Sequence, residues 1–140
     1  LHTNSARKTI DRIVDVFPAS QQAQIRTMLG ASLKGVVCQS LLKTSDGKGR
    51  VAAHEVLVGT LAVASIIREG KTEKLTDVIS ASAPDGMKLM DAAIMDLVKA
   101  GKVTVFEAYM KANEKSKFEP LLPKDDVLGV GPGLVAGKGR

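Results

Sequence analysis

Apolar positions recur at helical spacing from the start of the chain. Ile10, Ile13, Val14 and Phe17 fall at i, i+3, i+4 and i+7, with Ser5 or Asn4 placed to cap the helix. Pro18 ends it, because a proline disfavours helical geometry in the residue before it. Ser20 is then the expected cap of a second, longer helix whose stripe runs through Ile25, Met28, Leu29, Leu33, Val36, Val37 and Leu41. Gly30 and Gly35 weaken that stretch, and a close neighbouring backbone would account for them.

The period then changes. Asp46-Gly47 marks a hairpin turn between a strand over Leu41 to Lys43 and one over Arg50 to Val58. The second strand carries Ala52, His54, Val56 and Val58 on one face. Thr60 caps a helix from Leu61 to Glu69, and Gly70 stops it in a left-handed cap. A short helix around Leu75, Val78 and Ile79 ends at Pro84. Asp85 is the expected cap of the next, with Met87, Met90, Ile94, Leu97 and Val98 at helical spacing and Gly101 closing it. Thr104 and Glu107 form a capping box for a last helix carrying Phe106, Tyr109 and Met110. From about Ser116 the pattern fades into Pro120, Pro123, Pro132 and scattered glycines. The expected division is a folded body over 1–115 and a flexible tail over 116–140.

Composition sharpens this picture in three places. At 140 residues and 44% apolar content, one modest domain with a core of aliphatic side chains is expected. With no Trp, one Tyr and three Phe, stacking platforms for nucleic-acid bases are nearly absent, so no nucleic-acid partner is expected. The net charge of +5 is spread among acidic neighbours and reads as a mixed-charge surface, although it also suits an anionic partner such as a nucleotide. The single cysteine, Cys38, forms no internal disulfide or zinc pair. It reads as a small buried hydrophobe on a helical face, consistent with a reducing cytoplasm. No apolar run reaches membrane-spanning length.

Candidate chemistry concentrates at the amino edge. Leu1-His2-Thr3-Asn4-Ser5-Ala6 sits where a strand would hand over to a helix, a place where open α/β sheets put ligand groups. The His2 imidazole can donate to a phosphate oxygen, and Thr3, Asn4 and Ser5 add donors at a helix N-terminus. By pattern alone the run reads rather as a frayed start with an ordinary capping run. His54 reads as a partly buried strand residue bonded to a neighbour. The run 133–139 ends in Gly-Lys-Gly and lacks the Ser or Thr and the helix that a phosphate-binding loop needs. Arg68-Glu69-Gly70-Lys71 reads either as a solvated helix end or as an interface that couples subunits. The methionines at 87, 90, 95 and 110 read as core filling.

The opening run resembles the His box of the type IV pilus retraction ATPases, within the type II/IV secretion ATPase superfamily. The similarity continues through Thr9-Ile10-Asp11-Arg12-Ile13, Val16-Phe17-Pro18 and Gln21-Gln22-Ala23-Gln24-Ile25-Arg26. It resumes over Asp46-Gly47-Lys48-Gly49-Arg50-Val51-Ala52-Ala53-His54-Glu55, Ile67-Arg68-Glu69-Gly70-Lys71, Gly86-Met87 and Met90-Asp91, and covers about residues 1–113. The resemblance implies an α/β fold, the C-terminal part of a RecA-like P-loop ATPase domain, here mostly helical with about six helices and one β-hairpin. It implies a homo-hexameric motor that hydrolyses ATP, with Mg2+, to power pilus retraction and twitching motility. The motor would be cytoplasmic, at the inner membrane, against the pilus platform protein.

On this resemblance His2 is the γ-phosphate sensor, and Thr3 and Asn4 lie near the nucleotide. Ala62, Ile67, Arg68 and Glu69 match the retraction motif, usually Ala-Ile-Arg-Asn-Leu-Ile-Arg-Glu. Val63 and Ile66 are close substitutes, and Ala64 and Ser65 stand where Arg and Asn are usual. The phosphate-binding loop and the acidic magnesium strands lie upstream in this family and are not in this sequence. The expectation is therefore a C-terminal segment that neither binds a metal or nucleotide nor turns over ATP by itself. A non-catalytic helical interaction module and a segment of a paralogous pilus or type II secretion ATPase are the alternatives.

Overall fold

The computed structural model describes residues 3–123. His2, the Gly-Lys-Gly run and most of the expected tail lie outside the described residues. Helix α1 (Ala6–Asp15) and helix α2 (Ala19–Ser32) lead into strand β1 (Gly35–Lys43) and strand β2 (Arg50–Val58). Helices α3 (Leu61–Glu69), α4 (Leu75–Ala81), α5 (Met90–Lys99) and α6 (Val105–Lys111) follow, and short 3-10 turns at Lys115–Lys117 and Glu119–Leu121 end the described chain. The expected mix of mostly helix with one hairpin is what is found.

Local signals explain α1 and α3. The Ser5 hydroxyl accepts from Lys8 N at 3.3 Å, and Ala6, Ile10 and Val14 make the buried stripe of α1. The Thr60 hydroxyl caps α3, and Gly70 closes it at φ 72°, a left-handed conformation that glycine adopts without steric cost. Thr104 caps α6 by accepting from Glu107 N at 3.1 Å. The reciprocal half of the capping box is absent, because the Glu107 carboxylate accepts instead from Lys43 N, 3.1 Å away at the end of β1. Helix α6 is thereby fastened to the hairpin.

Three boundaries differ from expectation. Helix α2 starts at Ala19 behind Pro18 and stops at Ser32, so Val36, Val37, Cys38 and Leu41 belong to a nine-residue strand and not to a helix. The antiparallel register runs from Gly35↔Val58 to Lys43↔Arg50. The buried face of β1 is Cys38, Ser40 and Leu42. A polar Ser40 on that face and apolar Val37 and Leu41 on the other hide the strand alternation and mimic a helical stripe. On β2, Ala52, His54, Val56 and Val58 do share a face, but the buried residues are Ala53, Glu55 and Leu57. The third difference is α5, which begins at Met90 and not near Asp85. Lys88 makes a two-bond bridge with Val56 (2.8 and 3.0 Å), which holds the preceding residues extended.

Two apolar clusters share the hairpin. One joins Cys38, Leu42 and Ala53 to Met90, Ile94, Val103, Ala108, Ala112 and Phe118. The other joins Leu57 to Ala6, Ile10, Val63, Ile67, Leu75, Ile79 and Met87. Phe118 is fully buried and Leu122 nearly so, so the packed chain runs past Ser116, where the sequence pattern fades. Helices α2 and α3 cross closely at Gly30, where an added Cβ would lie 2.8 Å from the Ala64 carbonyl oxygen. Among the described residues no helix is long and apolar enough to cross a membrane.

Candidate functional site

The amino edge is fastened from several sides. The Thr3 hydroxyl bonds the Thr9 hydroxyl, which also donates to Ser5 O at 3.0 Å. Asn4 presents its carbonyl oxygen to the Asn113 side-chain amide at 3.0 Å. The backbone N–H of Ala6, the first residue of α1, donates to Glu55 Oε2 at 2.5 Å. The other oxygen of the same carboxylate accepts from Met90 N, the first residue of α5, at 3.1 Å. One buried glutamate on β2 thus caps two helices.

Glu55 is 3% exposed. Burial pushes its carboxyl above the usual carboxylate range, opposed by the two backbone donors and reinforced by the charge of Asp91. Asp91 is itself buried, and its two oxygens accept from Asn113 N and Glu114 N, each at 2.8 Å. Beside this cluster lies a cleft of about 330 Å³ whose walls include Arg7, Lys8, Asp11 and Glu55.

Because Glu55 binds its proton more readily in the folded chain than in the unfolded one, its contribution to stability is present in acid and declines as pH rises above about 4.5. Glu55→Gln removes the titration. Urea unfolding from pH 4 to 8 should show the stability difference between the parent and Glu55→Gln shrinking toward neutral pH. A difference independent of pH would contradict the assignment.

The helix N-terminus proposed from sequence as an anion site is therefore already occupied by the protein's own carboxylate. No group of three potential metal ligands occurs among the described residues. Thr3 and Asn4 line a separate cleft with Thr9 and Cys38.

The retraction-motif positions divide by depth. Ala62, Arg68 and Glu69 are exposed on α3, whereas Ile67 is fully buried in the cluster that holds Ala6 and Ile10 of α1. Arg68 reaches Ser65 Oγ at 3.3 Å, and Glu69 lies 3.7 Å from Lys71. The turn after α3 is tied back to α1, where the Thr72 hydroxyl donates to Asp11 Oδ1 at 2.7 Å. Thr3 and Asn4 at the head of α1 and the motif on α3 are thus brought onto one packed unit without being placed in direct contact.

His54 pairs with Gln39 Oε1 across the hairpin at 3.0 Å, as expected of a bonded strand residue, but it is exposed and not partly buried. Cys38 is buried as expected, but on β1. Burial pushes its thiol pKa up, which disfavours the thiolate. Sequence reasoning missed Glu55, Asp91 and Asn113 as a unit. The available signal was an acid alternating with Ala53 and Leu57, a position where a charge needs buried donors.

No family model matches the chain. A twitching motility protein from Neisseria gonorrhoeae is 46% identical over 112 residues, 80% of this chain and 30% of the relative. The type IV pilus retractation ATPase PilT of Pseudomonas aeruginosa is 44% identical over 118 residues, 84% of this chain and 34% of that protein. The pilus ATPase PilU of the same organism is 37% identical. The chain thus spans about a third of the length of these relatives. The crystal structure of the pilus retraction motor PilT with bound ADP superposes with a TM-score of 0.74 at 35% identity, covering 86% of this chain and 33% of the motor chain. The Legionella pneumophila ATPase DotB shares the fold at a TM-score of 0.63. By sequence and by fold, this chain belongs to the PilT-type pilus retraction ATPases and corresponds to the C-terminal part of their ATPase domain.

Proposed function

We propose that this chain works as the C-terminal part of the motor domain of a hexameric ATPase that powers type IV pilus retraction. The observation that carries the reading is the joint match in sequence and fold to a retraction motor, over more than four-fifths of this chain. The higher identity to retraction ATPases than to PilU favours the retraction motor over its paralogue. In this reading the rest of the motor holds ATP and Mg2+.

In this reading His2 senses the γ-phosphate, with Thr3 and Asn4 beside the nucleotide. Helix α1 carries the change toward α3, with which it shares the apolar cluster of Ile10, Val63 and Ile67 and to whose following turn it is bonded by Asp11 and Thr72. Arg68 and Glu69, exposed at the end of α3, pass it to a neighbouring subunit or to the platform protein at the inner membrane. The location follows as cytoplasmic, at the pilus base.

The purified 140-residue chain is expected to show no ATP turnover above a buffer control, because phosphoryl transfer needs a cradle, a metal and a positioned water together. Steady turnover that co-purifies with the chain and survives removal of contaminants would overturn the division of labour.

A further inference from the structure

We propose that Glu55 and Asn113 are positioning residues that clamp the amino edge, and so set where the residues following His2 stand. The inference rests on the sensor role proposed above for its functional consequence, but not for its geometry. The bonds form a closed circuit. Ala6 N donates to Glu55, whose other oxygen accepts from Met90 N at the head of α5. Asp91, the next residue, accepts from Asn113 N, and the Asn113 side chain donates to Asn4 O. Residues 4–6 are therefore held at two points, both referred to the start of α5.

The chemistry of the circuit suits positioning better than general stability. A buried carboxylate costs desolvation, and an apolar residue could fill the space without that cost. What the carboxylate supplies is direction. It accepts from two backbone donors that cap separate helices, so the head of α1 cannot shift against α5 without breaking a charge-assisted bond. Asn113 is exposed and its side chain bonds the amino edge, which makes it separable from folding.

Hydrogen exchange on the 140-residue chain tests the geometry, and ATPase kinetics of the longer protein that carries it test the consequence. In Asn113→Ala, exchange of the Ala6 amide should accelerate about tenfold, the fold-change of one lost hydrogen bond, with a small change in melting temperature. Glu55→Gln should accelerate the Ala6 amide more, since an amide nitrogen would then face one of the two backbone donors.

In the longer protein Asn113→Ala should lower kcat with KM kept, and Asn113→Gln, which can still donate, should restore part of it. Unchanged exchange of the Ala6 amide in both variants would overturn the clamp. Faster exchange with unchanged kcat would overturn its role in positioning for turnover. Low turnover in Asn113→Ala beside full turnover in His2→Ala would support the clamp while removing the sensor reading.

Discussion

Gly59→Ala is expected to abolish the native fold of this chain. Gly59 stands between β2 and α3, and its N–H donates to Lys34 O at 2.9 Å. A Cβ there would lie 2.0 Å from the Leu33 carbonyl oxygen and 3.0 Å from its carbon. Both are backbone atoms at the end of α2, so no rotamer change relieves the overlap. Relief requires the α2–β1 junction to separate from the β2–α3 junction, which would disturb the hairpin register and the α2–α3 crossing together. The cost should exceed about 3 kcal/mol, in the exceptional tail of single substitutions and a large part of a small domain's stability.

Gly30→Ala meets a backbone oxygen at 2.8 Å and should be milder. Gly49→Ala has open space within 4 Å and should stay within about 0.5 kcal/mol. Urea midpoints should therefore rank Gly49→Ala above Gly30→Ala above Gly59→Ala. A Gly59→Ala variant that unfolds with a midpoint near the parent's would contradict the packing of these junctions.

The second large effect is expected at Phe118. The sequence pattern fades just before it, and a reading by periodicity assigns it to a tail. In the structure it is fully buried against the cluster that joins the hairpin to α5 and α6. Phe118→Ala should therefore cost about 3–5 kcal/mol, the range for truncating a buried aromatic side chain. Ser116→Ala, two residues earlier and exposed, should be near neutral. Thermal and urea unfolding of the pair give the comparison. Equal stability of Phe118→Ala and the parent would restore the tail boundary at 115.

These cases show what periodicity and caps can carry. Helices α1 and α3 were legible because each begins at a Ser or Thr cap and buries apolar residues at strict spacing, and Gly70 ends α3 by the conformation it adopts. Strand β1 was not. Its buried face includes Ser40, its outer face includes Val37 and Leu41, and its pairing with β2 is a contact remote in sequence. The start of α5 is set by the bridge between Lys88 and Val56, which no local signal announces. Phe118 was missed because short 3-10 turns around Pro120 carry no long period, although the aromatic side chain still finds the core.

The candidate site divides in the same way. The family assignment came from ordered runs of residues, and the comparisons bear it out. The clamp around Glu55 was illegible because its partners, Ala6, Met90, Asp91 and Asn113, are scattered over more than a hundred positions and meet only after α1, β2 and α5 have packed. Backbone donors at helix starts look identical in sequence whether they face a ligand or a buried carboxylate. At α1 the carboxylate holds that place.

In the proposed function the edge ahead of α1 reads the state of the nucleotide. The direct test is His2→Ala in the longer protein that carries this chain, with ATP binding and ATP turnover measured separately. Binding should be kept while turnover falls steeply; parent-like turnover in that variant would rule out the sensor role.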